Sequence, residues 1–182
     1  MGNYFLDMLP ADELAQLSYI PTIPEFLSWI GEKWADRPAV SDASRTFTYS
    51  QFCGRIARRR ALLAEQGVQK GDKVAILERT SIDAIESFLA VTSAGCVAIL
   101  LPAQLPAPAV AGCCMKFGVK LLIYRDEFAP IASGVACKTV SSAVLSESEA
   151  PAAVVDKEAP AAIFFTGGTT GPSKGAVLPH RA

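Results

Sequence analysis

The chain has 182 residues, of which 51% are apolar and 19% are charged, and its formal net charge is −1. A nearly neutral chain lacks the positive field with which nucleic-acid-binding proteins attract phosphate backbones, so we expect no nucleic-acid partner. The length allows one domain with a substantial core. The high apolar fraction favours a surface that is partly covered by another unit, and self-association through an exposed sheet edge is one way to cover it.

Cysteine and histidine usage argues against a metal site. The chain has five cysteines without a Cys-x-x-Cys spacing and a single histidine, His180, to which we assign a structural role. We therefore expect free thiols in a reducing cytoplasm and no metal ligands. The first residues show no basic segment before an apolar stretch, which argues against a signal peptide. Glycine and prolines interrupt the uncharged stretch at 87–115, so we expect no membrane span.

The first 50 residues predict a leading helix followed by a hairpin. Thr22 and Glu25 form a capping box with Pro24 in the first turn, and apolar residues then recur at helical spacing to residue 35. Two short β-type runs at 39–41 and 46–48 bracket a polar turn, as the strands of a hairpin do.

A second helix is predicted to begin after Thr48 and to end near Gly67. Its outer side carries four arginines. Because no aromatic residue interleaves with them, a solvated face is favoured over an RNA-binding patch. These arginines are Arg55, Arg58, Arg59 and Arg60.

Apolar strands and helices alternate over the remainder of the chain, residues 51–182. This alternation predicts right-handed βαβ units and an α/β fold, a mostly parallel sheet with flanking helices. The connection at 146–159 is rich in Ser, Glu, Ala and Pro and is expected to be solvated. The predicted strands are 73–77, 96–101, 120–124, 135–140 and 161–165, and the predicted helices are 81–94 and 107–117.

The stretch at 164–175 has the chemistry of a phosphate-binding loop. It reads Phe-Phe-Thr-Gly-Gly-Thr-Thr-Gly-Pro-Ser-Lys-Gly and directly follows an apolar strand. Glycines allow backbone N–H groups to approach an anion, threonine hydroxyls donate hydrogen bonds, and lysine adds a positive charge. Ser173 before Lys174 and Gly175 after it exclude a Walker A loop, and a Gly-x-Gly-x-x-Gly fingerprint is absent.

These residues resemble the signature of the adenylate-forming (AMP-binding) enzymes, which include acyl-CoA synthetases and peptide-synthetase adenylation domains. The resemblance extends to the stretches at 47–52, 71–75 and 88–95. It departs at Ser173, where the family usually has proline, and at 96–104, where an aromatic residue and an Asp-Pro pair are usual. The signature is matched at Thr166, Gly168, Thr169, Thr170, Gly171, Lys174 and Gly175.

The resemblance implies a two-step reaction. A carboxylate attacks the α-phosphate of Mg²⁺-bound ATP, and a thiol, commonly that of coenzyme A, then accepts the acyl group. The residues implied to bind the β- and γ-phosphates are Thr166, Gly167, Gly168, Thr169, Thr170, Gly171 and Lys174.

The family's adenine-binding, ribose-binding and C-terminal catalytic motifs lie beyond this loop. We therefore expect an N-terminal fragment of the large AMP-binding domain, without catalytic residues of its own, whose partners are ATP, a carboxylic acid and the remainder of a longer chain. The alternative is a naturally short module that binds a nucleotide or a partner without catalysis.

Overall fold

The computed structural model describes residues 22–166 and 174–181. Its strands are β1 (Pro38–Ser41), β2 (Thr46–Thr48), β3 (Lys73–Leu77), β4 (Val97–Leu101), β5 (Val119–Tyr124), β6 (Lys138–Ser141), β7 (Pro160–Thr166) and β8 (Lys174–Pro179). Its helices are α1 (Ile23–Lys33), α2 (Tyr49–Glu65), α3 (Ile82–Ser93), α4 (Ala107–Phe117) and α5 (Ala129–Ala132). None of the helices in these described ranges is long and apolar enough to cross a bilayer.

The main sheet has the strand order β6-β5-β3-β4-β7-β8, and β1 and β2 form a separate antiparallel hairpin. The neighbouring strands from β6 through β5, β3 and β4 to β7 all pair in parallel, and β8 pairs antiparallel with β7. The predicted α/β fold with a mostly parallel sheet is therefore confirmed. The strand β8 is a feature that the sequence analysis missed, because its first residues belong to the glycine-rich motif and its last ones include proline.

Alternation along the strands sends apolar side chains to both faces of the sheet. Leu77 and Ile99 are fully buried on one face, in a cluster with residues of α4. Ile76 and Leu121 are fully buried on the other face, in a cluster that includes Leu63 of α2. Burial on both faces explains why each of β3, β4 and β5 contains a short apolar run in the sequence.

The helix α2 begins as the sequence predicts. The Thr48 side chain accepts a hydrogen bond from the backbone N–H of Gln51, and the Gln51 side chain accepts one from the backbone N–H of Thr48. This reciprocal capping box satisfies two backbone donors that would otherwise lack partners at the start of the helix.

The arginines of α2 do not form a solvated face, and that prediction is wrong. The Arg59 side chain is fully buried, and its Nη2 lies 2.6 Å from Oε1 of Glu86 on α3. The same carboxylate accepts a hydrogen bond from Nε of Arg55 at 2.6 Å through its other oxygen. Glu86 is itself fully buried, and its carboxylate contacts two guanidinium groups. The basic side of the helix is thus an internal ion-pair cluster.

The segment 142–159, which lacks helix and strand, covers this cluster and is not simply a solvated connection. Arg58 donates from Nε to the carbonyl oxygen of Ser146 at 2.7 Å. Arg60 donates from Nε to the carbonyl oxygen of Ala150 at 3.0 Å. The arginine side chains thereby satisfy carbonyl groups that a segment without secondary structure leaves unpaired. The segment then leads directly into β7.

Candidate functional site

The ends of the predicted phosphate loop are fixed by a hairpin. Thr166, the last residue of β7, is paired with Lys174, the first residue of β8. Paired positions in an antiparallel ladder have Cα atoms about 4.5–5.5 Å apart, so the two ends of the loop are held side by side. The predicted site residues Gly167, Gly168, Thr169, Thr170 and Gly171 lie outside the described residues, in the segment 167–173.

The strand β7 places this hairpin at the edge of the sheet where ligands are usually found. It runs parallel to β4, which runs parallel to β3 and β5. The carboxyl ends of all four strands therefore share one edge, and Thr166 lies at that edge. Ligands of open α/β sheets bind in crevices beyond the carboxyl ends of the strands.

Gly175 has a packing role that the sequence analysis did not recognise. A Cβ atom added at this position would lie 2.9 Å from Cγ2 of Ile163 and 3.7 Å from the Phe117 ring. Phe117 also packs edge-on against Phe165, which is paired with Gly175 across the hairpin. The glycine that ends the loop motif is thus required for β8 to lie close against the core.

His180 follows β8 and is buried, with 5% of its surface exposed. Its backbone N–H donates to the carbonyl oxygen of Ala159 at 3.1 Å. Neither ring nitrogen has a hydrogen-bond partner among the described residues, and burial lowers the pKa of the imidazole. A buried neutral ring next to β7 fits the structural role that the sequence analysis assigned to it.

An apolar cavity of about 350 Å³ opens at the same edge of the sheet and was not predicted. It lies between the carboxyl ends of β3, β4 and β7 and the first half of α3. Phe88 of α3 and Phe164 of β7 form part of its wall, with ring centroids 6.3 Å apart. Ile85 lies at its mouth and is 45% exposed. The sequence predicts the helix at 81–94 but contains no local signal for a cavity beside it.

The carboxyl group of Glu78 lines this largely apolar cavity, together with the polar side chains of Thr80 and Ser81. Its Oε1 is buried without a hydrogen-bond partner among the described residues, while Oε2 lies 3.5 Å from Oγ of Ser81. Burial raises the pKa of this carboxyl, while the Ser142 hydroxyl and the charge of Arg125 oppose the shift. Within the described ranges, no group of three or more His, Cys, Asp or Glu side chains is arranged to hold a metal ion.

Comparison with known proteins identifies relatives for this combination of fold and loop. A family model described as AMP-binding enzyme matches residues 27–182. The fatty acid–[acyl-carrier-protein] ligase ScoC of Streptomyces coeruleorubidus is 30% identical over 90% of the chain. Surfactin synthase subunit 1 of Bacillus subtilis is 25% identical over 88% of the chain. The chain spans 34% of the length of ScoC and 5% of that of the surfactin synthase subunit.

Among solved structures, the inhibitor-bound N-terminal domain of FACL13 from Mycobacterium tuberculosis is similar, with a TM-score of 0.77 and 25% identity. The alignment covers 87% of this chain and 44% of that structure. The N-terminal subdomain of NpsA from Klebsiella oxytoca, in complex with 3-hydroxybenzoyl-AMSN, shares the fold with a TM-score of 0.76.

Proposed function

The chain belongs to the AMP-binding enzyme family, and from that membership we propose that it is the phosphate-binding part of an ATP-dependent ligase that activates a carboxylic acid. The observation that carries this proposal is the β7–β8 hairpin, which holds Thr166 against Lys174 at the carboxyl edge of the sheet. The sequence between them is rich in glycine and threonine, which are the residue types that surround phosphate groups.

The proposed reaction begins with attack of a carboxylate on the α-phosphate of ATP, which forms an acyl-adenylate and releases pyrophosphate. Negative charge accumulates on the departing pyrophosphate, so donors directed at it stabilise the transition state. Backbone N–H groups of Gly167, Gly168 and Gly171 and the ammonium group of Lys174 are suited to this role. Three hydroxyl groups supplement them, those of Thr166, Thr169 and Thr170.

Magnesium would reach this site on the phosphates of ATP, since Mg²⁺ is usually bound through one or two protein oxygens together with substrate phosphates. The hydroxyl of Thr166 is the protein oxygen that we propose for it. In the second step a thiol takes the acyl group from the adenylate, and we propose coenzyme A as that thiol. The printed name of ScoC indicates that this relative instead uses an acyl carrier protein.

The test is the binding of ATP and of pyrophosphate to the 182-residue chain, measured by isothermal titration calorimetry. We expect Lys174→Ala to weaken binding by about tenfold or more, because a charge-assisted hydrogen bond contributes about 1.5–3 kcal/mol. The matched control is Lys120→Ala, since Lys120 is an exposed lysine near the amino end of β5, at the opposite edge of the sheet. Equal affinities for Lys174→Ala and the unaltered chain would contradict the proposed phosphate site.

A further inference from the structure

The apolar cavity at the carboxyl edge of the sheet combines two properties that seldom occur together. Its wall is formed largely by hydrocarbon side chains, including Phe88, Leu100 and Phe164. It also contains the Glu78 carboxyl, whose Oε1 has no hydrogen-bond partner in the described part of the chain. A buried polar atom without a partner is destabilising, and a ligand with a hydrogen-bond donor would supply the missing partner.

A second cavity, of about 490 Å³, adjoins the first and differs from it in character. Thr80 and Ser81 line both cavities, and Ser81 is the residue that contacts the Glu78 carboxylate. Four carboxylates and two guanidinium groups line the second cavity. Glu78 therefore lies near the boundary between an apolar space and a polar space that contains more acidic than basic side chains.

The cations around this boundary already have partners. Arg79, on the rim of the apolar cavity, is 60% exposed and pairs through Nε with Oε1 of Glu127 at 2.9 Å. Arg125 lies 3.5 Å from the same carboxylate oxygen. Asp126, in contrast, accepts a hydrogen bond from the Ser141 hydroxyl and has no ion pair among the described residues. The boundary thus favours an incoming cation over an incoming anion.

We propose that the apolar cavity binds a small hydrocarbon compound that carries a primary ammonium group. The hydrocarbon part would lie against Phe88 and Phe164, and the ammonium group would donate to Oε1 of Glu78. A volume of about 350 Å³ lies within the range of about 300–1,000 Å³ that is typical of small-molecule sites. The inference goes beyond the proposed function, because it requires neither ATP nor activation of a carboxylate.

The experiment compares three probes of nearly the same shape with the 182-residue chain at neutral pH, again by calorimetry. They are 2-phenylethylamine, 2-phenylethanol and phenylacetate, whose polar ends are positive, neutral and negative. We expect the amine to bind about tenfold more tightly than the alcohol, because a charged hydrogen bond exceeds a neutral one by roughly 1.4 kcal/mol. We expect phenylacetate to bind most weakly.

Two variants test whether the probes bind in the apolar cavity. Glu78→Gln keeps the shape and removes the charge, so it should abolish the preference for the amine over the alcohol. Ile85→Arg places a long charged side chain at the mouth of the cavity and should abolish binding of all three probes, and its half-exposed position leaves the core intact. Glu147→Gln is the control, since the Glu147 side chain is fully exposed and does not line the cavity.

Equal affinity for amine and alcohol, a preference for phenylacetate, or no binding at millimolar concentration would each overturn the proposal. So would an equal effect of Glu78→Gln and Glu147→Gln. These outcomes do not test the proposed phosphate site, because none of the probes contains a phosphate and none of these variants alters the β7–β8 hairpin.

Discussion

The buried ion-pair cluster of α2 and α3 makes a strong prediction about stability. Replacing Arg59 by methionine keeps a long side chain and removes four donated contacts. Two of these go to Oε1 of Glu86, at 2.7 Å from Nε and 2.6 Å from Nη2. The other two go to the carbonyl oxygens of Ser142 and Val144, at 2.6 and 3.3 Å.

The size of the effect follows from what the substitution leaves behind. Breaking a buried ion pair by removing one partner typically costs about 3–5 kcal/mol. Arg55 remains 2.6 Å from the Glu86 carboxylate, so this charge retains one partner. We therefore expect Arg59→Met to lower the free energy of unfolding by about 3 kcal/mol, at the lower end of that range.

The measurement is urea-induced unfolding, monitored by circular dichroism and by the fluorescence of Trp29 and Trp34. Arg58→Met is the matched control, because the Arg58 side chain is 36% exposed and its one ion pair within the described ranges is with the fully exposed Glu147. With one hydrogen bond to a carbonyl group also lost, this control should cost about 1 kcal/mol.

The double variant Arg59→Met/Glu86→Leu tests whether the loss of stability arises from breaking the buried ion pair. Since both buried charges are then removed together, its loss should be smaller than the sum of the two single losses by about 1–3 kcal/mol. Strict additivity of the two single substitutions, or a loss for Arg59→Met no greater than that for Arg58→Met, would refute the account of a buried ion pair.

Two further predictions concern the region around the hairpin and the activity of the chain. Burial lowers the pKa of His180 in the folded state, so the stabilisation by its neutral form should be complete above the ordinary pKa of about 6.5 and should decrease as the pH falls below it. His180→Gln should remove this part of the pH dependence of the free energy of unfolding. The same pH dependence in the variant and in the unaltered chain would contradict the prediction. We also expect the 182-residue chain alone to show no carboxylate-dependent ATP–pyrophosphate exchange, because it spans only 44% of the similar FACL13 domain; measurable exchange would contradict this prediction.

The fold could be predicted from the sequence where local signals agree with tertiary packing. The strands β3, β4 and β5 are buried on both faces over most of their length, so each contains a run of four or five apolar residues. The start of α2 was predictable because a capping box involves only residues three positions apart, Thr48 and Gln51. In both cases the physical cause lies within a few residues of the chain.

The features that could not be predicted depend on residues far apart in sequence. Arg59 lies 27 positions from Glu86 and 83 from Ser142, so nothing near it in the sequence indicates burial. An arginine-rich helix face has the same local pattern whether water or a later segment covers it. The apolar cavity was missed for a related reason, because Phe88 and Phe164 come from separate elements that only the folded sheet brings together.

The loop motif itself combines residues with folding roles and residues with proposed chemical roles, and the two kinds call for different experiments. Gly175 is constrained by packing, since a Cβ atom there would lie 2.9 Å from Ile163. Loss of nucleotide binding in Gly175→Ala would therefore report a displaced β8 as readily as a lost phosphate contact. Lys174 pairs with Thr166 through its backbone, and alanine preserves that pairing. Lys174→Ala removes the side-chain charge but keeps the backbone pairing, which is why it separates phosphate binding from the integrity of the hairpin.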